Sequence, residues 1–414
     1  MSKISISERL GGLSTSTIWE EMTPLSIKHD AVNLGQGFPS FAPPQLLLEE
    51  LEKCIQYSAE EPLAHQYCPP RGTAELVRQL CKTYAKLLSQ DIQPSNVVVT
   101  NGVTQALNAI FQAFINAGDE VVLVEPFYDA YYQDIFIAGG VTKYVTLQPS
   151  TESAENWKLT REALLRIVNE KTKFILINTP QNVPGKVWSV EELGIIAEVA
   201  KLFDVIVISD EVYMYLTYGK PHISIASFPD MWERTLTLCS AGKTFSCTGW
   251  KIGWAVGCAK LTAPIAQIVS YQTFCCSTPF QIAIARAAAK AEENGFYDIL
   301  RSEYAARVEQ VSNMLAANSL CPVKPQGGFF VLADITKVDP KHYYDASKRS
   351  QAKDWQFCLW LTKKIGVCAI PVTAFCQEES KPLYENYVRF ACCRSDSELR
   401  TAAERLQKLR EYLL

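Results

Sequence analysis

This sequence has few histidines, little excess of either charge and no long apolar run. Its 414 residues include four His, and none of them shows the HxxxH-type spacing of a zinc site, so we expect no metal. The formal net charge of −4 argues against nucleic acid or an anionic membrane surface as a partner. No apolar run reaches the roughly 18 residues of a membrane span, and the first ten residues are too polar for a secretion signal. The sequence therefore predicts a cytoplasmic protein that binds neither nucleic acid nor membrane.

Cysteine, in contrast, is plentiful, with 14 residues. The adjacent pairs at 275–276 and 392–393 lack the spacing of metal ligands. In a long chain without a secretion signal, buried and reduced thiols are the expected state. We therefore predict no disulfide framework.

The order of apolar segments predicts an α/β fold with more than one domain. Single cores stop growing at about 250–300 residues, and this chain is longer. Short β-branched runs alternate with amphipathic helical patterns, which predicts a large domain with a mainly parallel sheet sandwiched by helices. The predicted strands of this sheet are residues 97–100, 121–124, 173–178, 205–209, 235–239 and 252–257.

The pattern changes after about residue 295, where a smaller α+β domain is predicted. A helical pattern at 304–317 precedes strand-like segments at 329–334, 369–371 and 387–391 and a closing helix at 395–412. We therefore divide the chain into three regions. These are an N-terminal arm that includes part of the small domain (1–45), a large domain (46–295) and a small C-terminal domain (296–414).

A segment rich in lysine and small residues follows the strand at 235–239. It reads Ser-Ala-Gly-Lys-Thr-Phe-Ser-Cys-Thr-Gly-Trp-Lys-Ile-Gly-Trp from Ser240 to Trp254. Lys243 can condense with an aldehyde if its amine is desolvated and neutral. Ser240 and Lys251 can bind a phosphate by hydroxyl and charge. An ordinary surface loop is the alternative, and Ser240 with Lys243 also fits a Ser/Lys acyl hydrolase, although the companion motifs of that class are missing.

Two further motifs stand where predicted strands end. Gly102 lies between the strand at 97–100 and a helical pattern, which favours an anion site at a helix N-terminus or a simple tight turn. Asp210 ends the strand at 205–209 and can pair with a protonated ring nitrogen or cap a helix. Tyr213 can donate to a ring oxygen or pack as an ordinary half-buried tyrosine.

Three single residues are candidates for ligand contacts. Asn182, in a loop of Asn, Pro and Gly, can present its amide to a ligand, although turn chemistry also explains the loop. Tyr128 can stack on a flat ring or pack in the core. Arg389 is a charge within an apolar strand, so it pairs either with an internal carboxylate or with the carboxylate of a substrate.

Together these motifs resemble the fold-type-I pyridoxal-phosphate aminotransferases over nearly the full chain, most closely the kynurenine aminotransferase, glutamine transaminase K and cysteine-S-conjugate β-lyase group. The segment Asn-Leu-Gly-Gln-Gly-Phe-Pro at 33–39 is similar to the N-terminal signature of that group, and 240–254 to its lysine motif. The resemblance implies pyridoxal 5′-phosphate as cofactor. It also implies amino transfer between an L-amino acid, such as kynurenine, phenylalanine, methionine or glutamine, and a 2-oxo acid.

The resemblance assigns roles around the cofactor ring. Lys243 is similar to the catalytic lysine that holds the cofactor as an imine and moves a proton at the substrate. Asp210 matches the partner of the pyridine nitrogen, and Tyr213 matches the donor to the ring oxygen O3′. Asn182 matches the asparagine that contacts O3′ and the substrate carboxylate. Tyr128 resembles the aromatic residue that stacks on the ring.

The remaining implied roles concern the phosphate, the substrate and a second subunit. The phosphate-binding residues are implied to be Gly102, Val103, Thr104, Ser240 and Lys251. Tyr67 resembles a tyrosine that reaches the phosphate of the other subunit, which implies a homodimer with shared sites. Arg389 matches the clamp on the substrate α-carboxylate, helped by the Gly37 backbone. Trp19 and Phe274 resemble aromatic walls of the substrate pocket.

The chain departs from the family pattern at three positions near the expected substrate pocket. The family reads Asn-Pro-x-Gly where this chain has Asn182-Val183-Pro184-Gly185, so the peptide after Asn182 lacks the X-Pro chemistry that favours a cis bond. Gln181 stands where the group often has His, and Cys275 where some members have a His from the partner subunit. These positions bear on substrate preference and not on the chemistry. Because the same cofactor and lysine also serve the cleavage of C–S bonds, β-lyase chemistry stays open as the main role. A transcription regulator on the same fold would need an added DNA-binding domain, for which we find no length.

Overall fold

A seven-stranded sheet forms the centre of the computed structural model, which describes residues 7–10, 17–56, 62–348 and 351–414. Its order across the sheet is β2-β8-β7-β6-β5-β3-β4. β8 is antiparallel to both neighbours, and the other pairs are parallel. The predicted mainly parallel α/β fold is therefore confirmed. The strands are β2 (Val97–Thr100), β3 (Glu120–Glu125), β4 (Val141–Thr146), β5 (Thr172–Asn178), β6 (Ile206–Asp210), β7 (Thr235–Ser240) and β8 (Gly253–Val256).

Helices cover both faces of this sheet, which explains why nearly every residue of its central strands is buried. α4 packs on α5 and α9, and α10 packs on α2 and α3. A capping box begins α7, with Ser189 and Glu192 bonded reciprocally. The helices of this part are α2 (Gln45–Gln56), α3 (Ala74–Leu88), α4 (Gly102–Phe114), α5 (Ala130–Ile137), α6 (Arg161–Leu165), α7 (Val190–Leu202), α8 (Ala241–Thr244), α9 (Ala259–Gln272) and α10 (Thr278–Glu293).

A second, antiparallel sheet of four strands has the order β12-β13-β10-β9, and the pair β1-β11 lies beside it. The strands are β1 (Val32–Asn33), β9 (Cys321–Val323), β10 (Phe330–Asp334), β11 (Val367–Cys368), β12 (Ile370–Pro371) and β13 (Tyr387–Ala391). The helices around it are α1 (Ile18–Lys28), α11 (Phe296–Ala317), α12 (Lys353–Trp360), α13 (Lys381–Tyr384) and α14 (Asp396–Leu406). One buried apolar cluster joins Val122 and Ile175 of the large sheet to Val331 and Val388 of the small sheet. The domain boundaries at 46–295 and 296–414 therefore stay a prediction.

The structure corrects several predicted bounds and adds elements. The helix predicted at 304–317 begins at Phe296, because Gly295 adopts a left-handed φ of 74° that starts a new helix after α10. The closing helix is α-helical only to Leu406 and continues as a 3₁₀ helix over Gln407–Tyr412. β4 was not predicted from the sequence, because it is a half-exposed edge strand that contains polar residues. Among the residues described, no helix has both the length and the apolar character that crossing a bilayer requires.

Candidate active site

A cavity of about 370 Å³ lies where β2, β5, β6 and β7 end, between the two sheets. Ligands of open α/β sheets bind in such crevices at the carboxyl ends of strands. The structure brings together around it all but two of the residues singled out from the sequence, namely Trp19, Gly37, Gly102, Val103, Thr104, Tyr128, Asn182, Asp210, Tyr213, Ser240, Lys243, Lys251 and Arg389. The cavity is therefore the candidate active site.

Lys243 presents a desolvated amine to this cavity. It sits on α8, the single turn that follows β7, and its Nζ donates to the carbonyl oxygen of Gly37 at 2.9 Å. Burial lowers the pKa of Lys243 from 10.5 to about 8. Gly242 permits this placement, since a Cβ there would lie 2.9 Å from the Thr248 Cα. A lysine with such a pKa has a substantial neutral fraction near physiological pH and can act as a nucleophile or a base.

Asp210 faces Lys243 across the cavity and is held by three partners. Its Oδ2 accepts from the Tyr131 hydroxyl at 2.5 Å, and its Oδ1 accepts from the Val212 N–H at 3.2 Å. The Asn178 side chain fixes the Asp210 carbonyl at 2.8 Å. Burial raises the pKa of Asp210 to about 6. Asp210 is therefore a buried carboxylate whose charge calls for a cationic partner, such as a protonated ring nitrogen.

The start of α4 forms an anion cradle beside Lys251. Gly102 has a φ of +76°, and a Cβ on it would lie 3.1 Å from the Lys251 Nζ. The chain also passes very close to Gly253, where a Cβ would meet the Gly102 carbonyl carbon at 2.7 Å and the Val103 nitrogen at 2.9 Å. The first N–H groups of a helix have no intrahelical acceptor, and the helix dipole favours an anion there. With Ser240, whose side chain caps no helix, these groups suit a phosphate.

Arg389 is buried and forms no salt bridge with an acidic side chain among the described residues, although the carboxylate of Asp129 lies near enough to favour its charge. Its Nη1 donates to the Asn182 Oδ1 at 2.8 Å and its Nη2 to the Gly35 carbonyl at 2.7 Å, while its Nε has no acceptor. The guanidinium lies 4.0 Å from the Phe330 ring centroid and 4.9 Å from that of Phe375. Burial lowers its pKa to about 10. Of the two readings of the sequence, the geometry favours a guanidinium that receives the carboxylate of a substrate.

Asn182 reaches the cavity despite the shifted proline. The Asn182–Val183 peptide is cis, so the sequence argument against a cis bond at this position was wrong. The Asn182 N–H donates to the Asn178 Oδ1 at 2.7 Å, which anchors the loop to the end of β5. Gln181 turns away from the cavity, since its amide donates to the Pro126 carbonyl at 2.8 Å. Its neighbour Asn182 lines the cavity, so the bearing of Gln181 on substrate preference stays a prediction.

Aromatic rings form much of the remaining wall. Trp19 donates from its indole to the Asp129 carboxylate at 3.0 Å, which ties α1 to the loop before α5. Tyr128 packs edge-on against Tyr131 at a centroid distance of 5.5 Å, and burial raises the pKa of Tyr128 to about 12. Tyr213 is buried, and burial raises its pKa well above the ordinary value, so it keeps its proton as a donor.

Two predicted residues lie outside this cavity. Tyr67 is 84% exposed and Phe274 is 49% exposed, and their rings meet edge-on at 5.3 Å. Neither lines the cavity in the part of the chain that the structure describes, and the neighbouring Cys275 does not line it either. Within one chain these residues therefore do not form the walls that the sequence reading expected of Phe274 and of position 275.

Sequence reasoning missed several residues that line the cavity: Gln36, Phe38, Leu107, Tyr131, Asn178, Val212, Thr248, Ile252 and Phe330. Tyr131 carried a usable signal, because it lies three positions after Tyr128 and thus on the same side of a helical turn. Phe330 lies on β10, far from the lysine motif in sequence, and no local pattern connects it with the site.

Comparison with known proteins agrees with this geometry. The family model for aminotransferase class I and II matches residues 29–406. Kynurenine–oxoglutarate transaminase 3 from Homo sapiens is 37% identical over 414 residues, which cover 97% of this chain and 90% of that protein. The crystal structure of Bna3p from Saccharomyces cerevisiae has a TM-score of 0.94 at 33% identity and covers 100% of both chains.

For a third relative, activity on a different substrate is described. YbdL from Escherichia coli, for which a methionine aminotransferase function is described, has a TM-score of 0.87 at 31% identity and covers 98% of this chain and 100% of its own. These relatives favour amino transfer over the β-lyase reading and overturn the Ser/Lys hydrolase reading. The chain belongs to the class I and II aminotransferases, with the fold-type-I architecture and pyridoxal phosphate as cofactor.

Proposed function

We propose that this aminotransferase transfers the amino group of kynurenine, or of a similarly large aromatic or apolar amino acid, to a 2-oxo acid such as 2-oxoglutarate. The observation that carries the proposal is Arg389, a buried guanidinium that forms no salt bridge within the described part of the chain and is set among the aromatic rings of Trp19 and Phe330. A carboxylate bound there places the substrate side chain among apolar walls. The human relative is named for kynurenine and oxoglutarate, and YbdL is described as a methionine aminotransferase.

The cavity residues fit the cofactor group by group. The α4 cradle with Ser240 and Lys251 suits the phosphate, and Tyr128 offers a ring face for stacking. Asp210 supplies the negative charge that a pyridinium nitrogen needs, and Tyr213 supplies a hydroxyl donor for the ring oxygen. The desolvated amine of Lys243 is the covalent anchor. When bound, the cofactor withdraws electrons from the substrate α-carbon.

The protein side of the reaction then falls to three residues. Arg389 and Asn182 hold the substrate α-carboxylate and so orient the bond to the α-hydrogen. Lys243, once its amine is free, removes the proton from the substrate α-carbon as a general base. The same amine then donates the proton again as a general acid. Asp210 keeps the ring nitrogen protonated throughout. The pKa of about 8 at Lys243 suits this exchange, because base and acid forms are both populated near that pH.

We also propose a cytoplasmic homodimer in which Tyr67 and Phe274 complete the site of the partner subunit. Their exposed, mutually packed rings are apolar surface that a monomer would leave in water. Most of the 14 cysteines are buried thiols, which supports a reducing compartment. Sedimentation of the holoenzyme with Tyr67→Ala and Phe274→Ala tests the dimer, and the double variant should dissociate or lose cofactor affinity; a monomeric wild type would refute it.

The substrate proposal is tested by a matrix of donors and acceptors. Purified protein loaded with pyridoxal phosphate is assayed with kynurenine, phenylalanine, methionine, glutamine and aspartate against 2-oxoglutarate and pyruvate. We expect the highest kcat/KM for an aromatic or large apolar donor and the lowest for aspartate. Preference for aspartate, or release of pyruvate and ammonia from a cysteine conjugate at a higher rate than any amino transfer, would refute the proposal.

A pair of variants sharpens this test. Trp19→Leu should lower kcat/KM for kynurenine more than for methionine, because an aromatic donor loses the wall it packs against. Tyr344→Leu changes an exposed aromatic residue outside the cavity and serves as the matched control. Equal losses for both donors would show that Trp19 does not select the side chain.

A further inference from the structure

Tyr131 occupies a position behind Asp210 to which the reading of the sequence gave no role. It lies in the first turn of α5, is 1% exposed, and its backbone N–H donates to the Tyr128 carbonyl at 3.0 Å. Its hydroxyl donates to the Asp210 Oδ2 at 2.5 Å. The hydroxyl has this single acceptor among the described residues, so the bond fixes both groups relative to each other.

The direction of this hydrogen bond matters for the charge of Asp210. A phenol is a donor here because burial raises the pKa of Tyr131 well above its ordinary value. A donor stabilises the ionised form of a carboxylate, and burial opposes it by raising the pKa of Asp210 to about 6. Lys243 also favours the ionised form, whereas Glu211, the next residue, disfavours it. The Tyr131 side chain thus donates directly to the Asp210 carboxylate. This hydrogen bond offsets the rise in the Asp210 pKa that desolvation causes.

The geometry also leaves room for a second partner. A carboxylate has two oxygens with about four acceptor sites. Tyr131 and the Val212 N–H use one site on each oxygen of Asp210, which also lines the cavity. The two bonds restrain the carboxylate group and leave acceptor sites for a ligand.

We propose that Tyr131 is a positioning residue that keeps Asp210 ionised and oriented toward the pyridine nitrogen of the cofactor. The inference rests on the proposed function, since it takes Asp210 as the partner of that nitrogen. The Tyr131 hydroxyl donates to Asp210, so the effect assigned to Tyr131 is exerted through the carboxylate. A tyrosine that merely fills the core beside Tyr128 would have no such effect.

The test uses the affinity of the cofactor-free protein for pyridoxal phosphate, which does not depend on turnover. Tyr131→Phe keeps the ring that packs against Tyr128 and removes the donor. We expect its Kd for pyridoxal phosphate to rise about tenfold, the lower range for a hydrogen bond to a charged group. Tyr131→His restores a ring N–H and should recover part of the affinity. Tyr343→Phe removes a buried hydroxyl that has no acceptor among the residues the structure describes, and it is the matched control.

A double-mutant cycle separates positioning from packing. In an Asp210→Asn background the charge is gone, so Tyr131→Phe should change the Kd by no more than about threefold. The same tenfold loss in both backgrounds, or an unchanged Kd in the single variant, would overturn the proposal. Borohydride reduction of the wild-type holoenzyme is run alongside. A wild type without an adduct on Lys243 would overturn the proposed function and this inference together, whereas an adduct with an unchanged Tyr131→Phe Kd overturns the inference alone.

Discussion

Replacing Arg389 by methionine removes the carboxylate-binding guanidinium and keeps a long side chain in an apolar surrounding. In the wild type the charge is buried at 1% exposure between the rings of Phe330 and Phe375, and it forms no salt bridge with any residue that the structure describes. Loss of the guanidinium deprives Asn182 and Gly35 of donors but also removes a desolvated charge. These effects oppose each other, so we expect the free energy of unfolding to change little.

The effect on catalysis should be large. Truncating one partner of a buried, hydrogen-bonded charge pair costs about 2–5 kcal/mol. Since 1.36 kcal/mol corresponds to a factor of ten, kcat/KM for an amino acid should fall about 30- to 5,000-fold. The loss should be specific to the α-carboxylate, because Arg389 contacts neither Lys243 nor Asp210 in hydrogen bonds.

The assay compares an amino acid with the corresponding amine, which lacks the carboxylate. Arg389→Met should lower kcat/KM for the amino acid by the stated factor and leave the slow reaction of the amine within about threefold. Arg394 gives a contrast for stability, since its guanidinium donates to the carbonyls of Asn33 and Gln36, and Arg394→Met should lower the Tm. Equal losses for amine and amino acid, or an effect of Arg389→Met on Tm alone, would refute the reasoning.

Three further predictions concern the cofactor side. Lys243→Met should raise the unfolding free energy of the cofactor-free protein at neutral pH by up to about 3 kcal/mol, because burial lowers the lysine pKa from 10.5 to about 8. This increase in unfolding free energy over the wild type should shrink as pH rises from about 8 to 10.5, because the wild-type lysine loses its proton over that range. Denaturant titrations that show the same increase at every pH would contradict this. Gly253→Ala should weaken pyridoxal-phosphate binding by displacing Gly102, whereas Gly249→Ala, whose Cβ meets nothing within 4 Å, should not; equal Kd values would count against the cradle. Asp210→Asn should lower kcat far more than it raises KM in steady-state kinetics, and a change in KM alone would remove its assigned role.

The sequence contained enough to predict the large sheet because most of its strands are buried on both faces. β2 and β5 contain apolar runs, at residues 97–99 and 174–177, and their ends bear polar residues that meet at one edge. β4 is an edge strand in which polar residues are mixed with apolar ones. β9 is three residues long and contains proline. Neither segment therefore shows a clear strand pattern in the sequence. Tertiary pairing, not local preference, makes them strands.

The site was predictable where function is concentrated in short motifs and unpredictable where it depends on tertiary contacts. Lys243, Asp210 and Gly102 each stand at the end of a strand, and the parallel sheet brings them together. Tyr131 acquires its importance from one hydrogen bond to a residue 79 positions away. Tyr67 and Phe274 are exposed and do not line the described cavity of their own chain, so the roles that the resemblance implies for them require the second subunit that we propose.

The central claim is a covalent bond between the Lys243 amine and the cofactor aldehyde, and reduction with borohydride tests it directly. Purified protein is incubated with pyridoxal phosphate, reduced, digested and examined by mass spectrometry. The account predicts loss of the yellow colour and a pyridoxyl-phosphate adduct on the peptide that contains Lys243, absent from Lys243→Ala. An adduct confined to another lysine such as Lys251, or no adduct at saturating cofactor, would contradict it.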